Sequence, residues 1–301
     1  MRVAVTGATG FVGRHTVELL LGRGHSVRFL ARGPSPTATL LEQRGAVPVS
    51  GHLADASALR RLVADTDSLV HLVGIIVERG AATFAAVHVE GTRQVLGAAR
   101  AVGIRHLVHM SALGARADPS AALYHRTKWE AEALVQASGL KAAVLRPSLI
   151  NGPENVPVQT LARLHRLLPV VPVFGRADFP LQPVWIEDVA LVVALAVERE
   201  AAGTFELGGP EVVTFADFVR AIGRAVGHPR PLVHVPLAMV QTAVRFLDPL
   251  GPWAPITSSQ LQMLTEGTAT PANAITRVFG VTPLSFGEGL ARVFQKDQTR
   301  G

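Results

Sequence analysis

The chain has 301 residues, 48% hydrophobic and 17% charged, with a formal charge of +6 and no cysteine. That apolar content excludes a mainly disordered chain, and the missing thiols exclude a disulfide scaffold, a thiolate zinc site and a cysteine nucleophile. The positive balance favours anionic ligands or an anionic surface, but the arginines are scattered without a basic tail or an aromatic-interleaved stripe, so nucleic acid is not an expected partner.

In chain order, Val- and Leu-rich runs are predicted as strands at Val3–Thr6, Ser26–Ala31, Val47–Ser50, Leu69–Val73, His106–Met110 and Ala142–Arg146. Between them, Phe11–Arg23, Ser57–Ala64, Thr83–Val102 and Tyr124–Ser138 read as helices. Runs apolar on both faces, alternating with helices, are what a parallel sheet covered on both sides requires. The expected fold class is α/β, a doubly wound parallel sheet of the Rossmann type, with residues 1–150 as its nucleotide-binding domain. From Pro147 to Pro183, repeated prolines break the chain into loops and short elements. Two further strand–helix units follow, Pro183–Ile186 with Glu187–Glu198 and Thr204–Leu207 with Phe215–Val226. Short helices are then expected at Leu237–Leu247, Ser258–Leu264 and Phe286–Phe294. Residues 151–301 are thus expected to form a smaller, mixed substrate or lid lobe, partly interleaved with the main sheet.

The longest wholly apolar run, Val189 to Val197, is well short of the roughly 20 residues of a spanning helix. The opening residues run straight into a strand pattern and leave no room for a signal peptide. The expected location is the cytoplasm. A place at the membrane periphery stays open, because Met239, Phe246 and Trp253 lie in an apolar stretch that reads as core, as a lid, or as a membrane- or partner-facing patch.

Gly7, Gly10 and Gly13 fall between the first strand and the first helix. In that context Gly7 allows the tight turn, Gly10 lets backbone approach a pyrophosphate, and Gly13 lets helix pack close to strand. The helix N-terminus adds unpaired N–H groups and the positive end of its dipole. A dinucleotide site is the expectation. An NAD site usually carries a carboxylate at the end of the second strand, yet no Asp or Glu lies between Glu18 and Glu42. The strand ends at Ala31-Arg32, with Arg14 just after the glycine loop, and a guanidinium at Arg32 suits a 2′-phosphate. NADP(H) is therefore expected over NAD(H).

The single tyrosine, Tyr124, precedes one of only three lysines, Lys128, by four residues. On a helix that spacing stacks both on one face. A nearby ammonium should lower the phenol pKa from about 10, allowing Tyr124 to exchange a proton with a hydroxyl or carbonyl as hydride moves. Ser111, at the end of the fifth strand, is the third candidate catalytic residue, placed to orient a carbonyl. The eleven histidines show no ligand cluster and no HExxH, so no metal is expected. His71 and His88 read as hydrogen-bonded core-edge residues, and His125 as pointing away from Tyr124. Glu187 and Asp188 suit a helix start; Gln182 or Trp185 at a substrate mouth is the minority reading.

The glycine loop, Ser111 and Tyr124-x-x-x-Lys128 together resemble the short-chain dehydrogenase/reductase superfamily in its extended or atypical branch. VHVEGTRQVLGAAR, HLVHMSALGA, YHRTKWEAE, LRPSLINGPEN, QPVWIEDVA and FELGGPEVVTF are similar to the group around the NADPH-binding accessory subunit of respiratory complex I and bacterial NAD-dependent epimerase/dehydratase-like proteins. The resemblance implies a Rossmann domain with a small C-terminal substrate lobe. It places Gly7, Thr9, Gly10, Phe11 and Val12 along the pyrophosphate, and Val73 and Gly74 on the adenosine side. Ser111, Tyr124 and Lys128 then surround the nicotinamide, with Pro147 and Ser148 beside its carboxamide. Asn151 and Arg176 sit in loops that the family uses around substrate. Two departures stand out. Gly51-His52-Leu53 replaces the usual Gly-Asp-Leu, with Asp55 further on, and Ser111 is followed by Ala112 and Leu113 where relatives show two or three Ser/Thr.

Two functions follow as expectations. The first is an NAD(P)-dependent oxidoreductase or epimerase, passing hydride between nicotinamide and a carbonyl or alcohol on a small-molecule substrate. The alternative is a non-catalytic NADPH-holding accessory or redox-sensor protein that docks on a larger, respiratory-chain assembly. A homodimer and contact with a membrane surface stay open in either case.

Overall fold

The computed structural model describes residues 1–247 and 256–298; Trp253 lies outside the described residues. The strands are β1 (Arg2–Thr6), β2 (Ser26–Ala31), β3 (Val47–Ser50), β4 (Ser68–His71), β5 (His106–Met110), β6 (Lys141–Pro147), β7 (Ile150–Asn151), β8 (Val171–Phe174), β9 (Pro180–Leu181), β10 (Val184–Trp185), β11 (Gly203–Leu207), β12 (Val213–Thr214) and β13 (Leu232–Val235). The helices are α1 (Phe11–Gly22), α2 (Pro36–Gln43), α3 (Ala56–Val63), α4 (Gly91–Val102), α5 (Leu123–Gln136), α6 (Val156–Leu167), α7 (Ile186–Glu198), α8 (Phe215–Ala225), α9 (Leu237–Leu247), α10 (Ser258–Thr265), α11 (Ala274–Arg277) and α12 (Phe286–Gln298).

The main sheet is parallel throughout, in the order β11-β6-β5-β4-β1-β2-β3. It is the doubly wound sheet the alternating pattern implied, with β11 from the second half added beside β6. The order reverses between β1 and β4, which opens the crevice where such sheets bind ligands. Alternate residues serve opposite faces. Val5, Val70 and Val108 pack under α1 and α7, while Ala4, Leu69 and Leu107 pack under α3, α4 and α5. Burying each of these Leu and Val side chains stabilises the fold by about 2 kcal/mol. A third apolar cluster, with Phe218, Ile222, Leu290 and Phe294 at its centre, forms beyond the strand ends from α6, α8 and α12.

Three local expectations change. The helix read over Thr83–Val102 is split, its first part being a π-helix over Ala85–Glu90 that leads into α4. The Pro183–Ile186 strand stays outside the main sheet, because β10 pairs with β7 alone. Finally, α6 is a 12-residue helix where loops and short elements were expected, and α2 adds a helix in a stretch given no predicted element. Ser35 and Asn155 cap them through their side chains, and Pro36 and Pro157 lie in the first turns, where a missing N–H leaves no bond unmade.

Candidate active site at the ends of β1, β4 and β5

Gly7 ends β1 in the left-handed region (φ +81°), and a Cβ there would lie 2.9 Å from the Leu72 carbonyl carbon and the Val73 nitrogen. A Cβ on Gly13 would collide with the Gly7 carbonyl oxygen, and one on Gly10 would come within 3.3 Å of it. The three glycines thus seat the start of α1 directly against the turn. Gly10 is the N-cap and contributes no side-chain acceptor, so the first N–H groups of α1 face the crevice uncapped. Thr9, Phe11 and Val12 lie on this turn, and Phe11 closes its far side, near enough that a Cβ on Gly152 would touch its ring at 2.8 Å. This bare backbone cradle fits a pyrophosphate.

Val73 and Gly74 follow β4 beside Gly7. A Cβ on Gly74 would stand 2.9 Å from Lys128 Nζ and 3.7 Å from His88 Nε2. Lys128 is 4% exposed and donates to the Met110 carbonyl at the end of β5 (3.0 Å). The sequence-predicted cofactor and catalytic residues therefore meet here: Gly7 touches Val73, and Gly74 makes room for Lys128. Burial pushes the Lys128 ammonium down to about 8, against an opposing pull from Glu132.

Tyr124 stands one turn before Lys128 on α5, half-buried among three rings. Phe84 packs at 5.8 Å, His88 at 5.4 Å and His125 at 5.4 Å, all edge-on. Its phenol is pushed up to about 12 by burial. The expected lowering by Lys128 is corrected by this result: desolvation of the phenolate outweighs any help from an ammonium that is itself bonded to the Met110 carbonyl. His125, expected to point away, instead packs against Tyr124 and holds Glu266 (Nδ1 to Oε2, 2.6 Å).

Ser111 is buried, and its hydroxyl donates to Glu132, which also holds Arg146 in a two-pronged pair at 2.9 and 2.6 Å. Its proton is engaged by that carboxylate. Ser148 is likewise bonded inward, its hydroxyl to the Thr268 carbonyl (2.5 Å) and its amide to Leu207 (2.8 Å), leaving Pro147 and the Ser148 backbone at the strand end. Gln182 is buried between the Gly209 carbonyl and the Thr270 amide, and Arg176 is 89% exposed and paired with Asp178. Asn151 is buried beside Trp185, with which it is in register.

Arg32 follows β2 on the surface, and its side chain has no hydrogen bond or ion pair among the described residues. Arg14 is taken by Glu154. Asp55 caps α3 through the Ser57 and Ala58 amides (2.9 and 3.0 Å), and those bonds hold its carboxyl below the usual range.

Behind the site lies a polar layer of which sequence reading found His71 and His88 but not the pairing of His71 with His109. His71 and His109 are neighbours across β4 and β5, ring centres 5.4 Å apart, both 1% exposed. His71 bonds Thr6 (2.6 Å) and Thr92 (3.1 Å), and His88 bonds Thr127 (2.9 Å) and Ile75, as expected of core-edge residues. Burial, with a smaller push from Lys128, depresses His71 and His88 to about 3. Both ring nitrogens of His109 lack a partner among the described residues. The i+4 spacing of Lys128 and Glu132 was a further available signal for this layer.

A glycine cradle at the switch point, a buried lysine and a walled phenol define a nicotinamide-dinucleotide-binding Rossmann protein. Residues 7–168 match the family model described as NAD(P)H-binding, and the chain belongs to that family. It is 30% identical over 259 residues to the ceramide reductase of Caulobacter vibrioides, covering 85% of this chain and 80% of that protein. It is 28% identical to the mitochondrial NADH dehydrogenase [ubiquinone] 1 alpha subcomplex subunit 9 of Arabidopsis thaliana, covering 90% and 71%. The UDP-glucose 4-epimerase structure from Thermotoga maritima shares the fold, with a TM-score of 0.74 at 20% identity over 99% of this chain and 100% of that one. The chain is thus an oxidoreductase-like protein with a nicotinamide cofactor. Among the described residues no helix is long and apolar enough to cross a membrane, and no cluster of three or more ligand side chains could hold a metal.

Proposed function

We propose that this protein is an NADP(H)-dependent reductase acting on the carbonyl of a lipophilic small molecule. The observation that carries the reading is the junction at Gly74, where the glycine cradle, Lys128 and the Tyr124 face of α5 converge. Gly7, Thr9, Gly10, Phe11, Val12 and Gly13 would hold the pyrophosphate, with Val73 and Gly74 on the adenosine side and Pro147 and Ser148 bordering the carboxamide. The unpartnered guanidinium of Arg32 suits a 2′-phosphate, which favours NADP(H). When bound, the nicotinamide supplies or accepts hydride.

Tyr124, protonated at neutral pH with its phenol near 12, is prepared as a proton donor. In reduction it passes its O–H proton to the carbonyl oxygen as the carbon gains hydride. Lys128, whose ammonium burial pushes down to about 8, would bind the ribose and stabilise the phenolate left behind. Ser111 would act on α5 through Glu132 and not on substrate. Ceramide, in the relative's name, is a lipid, and α9 exposes two large apolar side chains in keeping with such a substrate at a membrane periphery: Met239 is 63% and Phe246 80% exposed.

The test is NADPH oxidation with a panel of long-chain and isoprenoid ketones. Turnover that falls by about 10²-fold or more in Tyr124→Phe supports the reading. Tight NADPH binding without turnover on any carbonyl would move the protein to the second reading, a nucleotide-holding accessory subunit on a larger assembly. That reading is favoured by the likeness to subunit 9 of the NADH dehydrogenase. Stronger thermal stabilisation by NADPH than by NADH, lost in Arg32→Ala, tests the phosphate assignment; equal stabilisation removes it.

A further inference from the structure

Helix α5 starts without a cap of its own. Ala122 is its N-cap residue and has no side-chain acceptor to offer. The acceptor comes from 144 residues away: Glu266 Oε1 takes the Ala122 N–H at 2.7 Å. The other oxygen, Oε2, takes His125 Nδ1 at 2.6 Å and Arg116 at 3.1 Å. One carboxylate thereby closes the uncapped N-terminus of α5, opposes the positive end of its dipole, and fixes a ring three residues on from Ala122. Burial alone would raise the Glu266 pKa; the Ala122 amide and His125 outweigh it and keep the group ionised.

That ring matters because it is one of the three walls around Tyr124. Phe84 and His88 come from the nucleotide-binding side, where His88 is pinned by Ile75 and Thr127. His125 has no such anchor in that region. It fills the space left by Gly114, whose Cβ would stand 3.0 Å from Nε2, and its bond is to Glu266. Glu266 in turn opens a strap bonded on both sides. Thr268 receives the Ser148 hydroxyl (2.5 Å) and pairs with Pro180 and Gln182, and Asn273 bonds the Gly208 carbonyl (2.7 Å).

We propose that Glu266 is a positioning residue for the phenol: through Ala122 and His125 it holds Tyr124 in its walled orientation, and the strap carries that hold from the chain segment between α10 and α11. The inference concerns the same site as the proposed reductase activity and rests on that reading for its purpose. Its test needs neither cofactor nor substrate, so the two fail separately.

Tyr124 is the only tyrosine and there is no cysteine, so nitration by tetranitromethane at pH 8 reports one phenol. The rate follows the exposed phenolate, which is scarce with the phenol held near 12. In Glu266→Ala the first turn of α5 and the His125 wall loosen, and nitration should quicken by about tenfold or more as the phenol returns toward its ordinary pKa. Glu266→Gln, which keeps one acceptor, should give a smaller rise. Near-UV circular dichroism matching the wild type shows that each variant is folded. Glu198→Gln, which weakens the pairing with Arg23 and His25, controls for general loosening and should leave the rate unchanged. Nitration within about twofold of wild type in both folded Glu266 variants, or an equal rise in Glu198→Gln, overturns the proposal.

Discussion

Lys128 occupies space that exists because residue 74 is glycine: its Nζ sits 2.9 Å from where a Cβ at that position would be, while donating to the Met110 carbonyl. The atom that would be struck is the far end of a flexible chain, so the fold can absorb the clash where the site cannot. Gly74→Ala should change unfolding free energy by less than about 1 kcal/mol. NADPH affinity should fall about tenfold as Lys128 leaves the Met110 carbonyl. Urea unfolding and calorimetric titration check the two halves separately.

Gly13 behaves differently because its obstacle is backbone. A Cβ there meets the Gly7 carbonyl and the Ala8 Cα, neither of which can move without shifting α1 from β1. Gly13→Ala should cost about 2–3 kcal/mol by urea unfolding. Gly22, in the last turn of the same helix, has nothing within 4 Å, and Gly22→Ala should be neutral or stabilise by up to about 1 kcal/mol.

The glycine loop was legible in the sequence because its chemistry is local. A turn, a close approach and a helix start fall within seven residues, and each needs a missing Cβ. The Tyr124–Lys128 face was legible for the same reason. Pro157 misled because proline is read as a breaker, although the first turn of a helix tolerates it; the capping Asn155, two residues before it, was the better signal. The Ser111–Glu132–Arg146 and Glu266–His125 links were hidden by distance along the chain. The direction of the Tyr124 shift was missed because burial, which sets it, cannot be counted from spacing.

Burial holds Lys128 near 8 in the folded protein against an ordinary 10.5. Between those values the unfolded chain binds more protons, so this group makes stability rise with pH through that window. Below pH 8 the full penalty, about 3 kcal/mol, is present. Lys128→Met removes it and loses one hydrogen bond worth about 1 kcal/mol, so a net gain of about 2 kcal/mol is expected at pH 7. Above pH 10.5 the penalty is gone and only the lost hydrogen bond remains, so the variant should be about 1 kcal/mol less stable than wild type, and thermal melts at the two pH values test this.

Three of the buried histidines, His71, His88 and His109, act at the acid end. His71 and His88 are held near 3 and His109 well below its usual 6.5, all chiefly by burial. As pH falls below 6.5 the unfolded chain takes up protons that the folded one refuses, so stability is lost toward pH 3. Three such groups give a slope of up to about 4 kcal/mol per pH unit. His109→Leu removes one proton from that slope and two unpartnered buried nitrogens. It should stabilise the protein by about 1–2 kcal/mol at pH 7, read from the pH dependence of urea unfolding.

The most direct measurement follows the ring carbons of Tyr124, the sole tyrosine, by NMR with carbon-13-labelled tyrosine while NADP⁺ is added to the whole protein. A resonance that shifts and saturates together with calorimetric binding, and that is unmoved in a Gly13→Ala variant unable to bind, is the predicted result. Saturated NADP⁺ binding that leaves the tyrosine resonance where it began would contradict the account, since no nicotinamide would then lie beside the phenol.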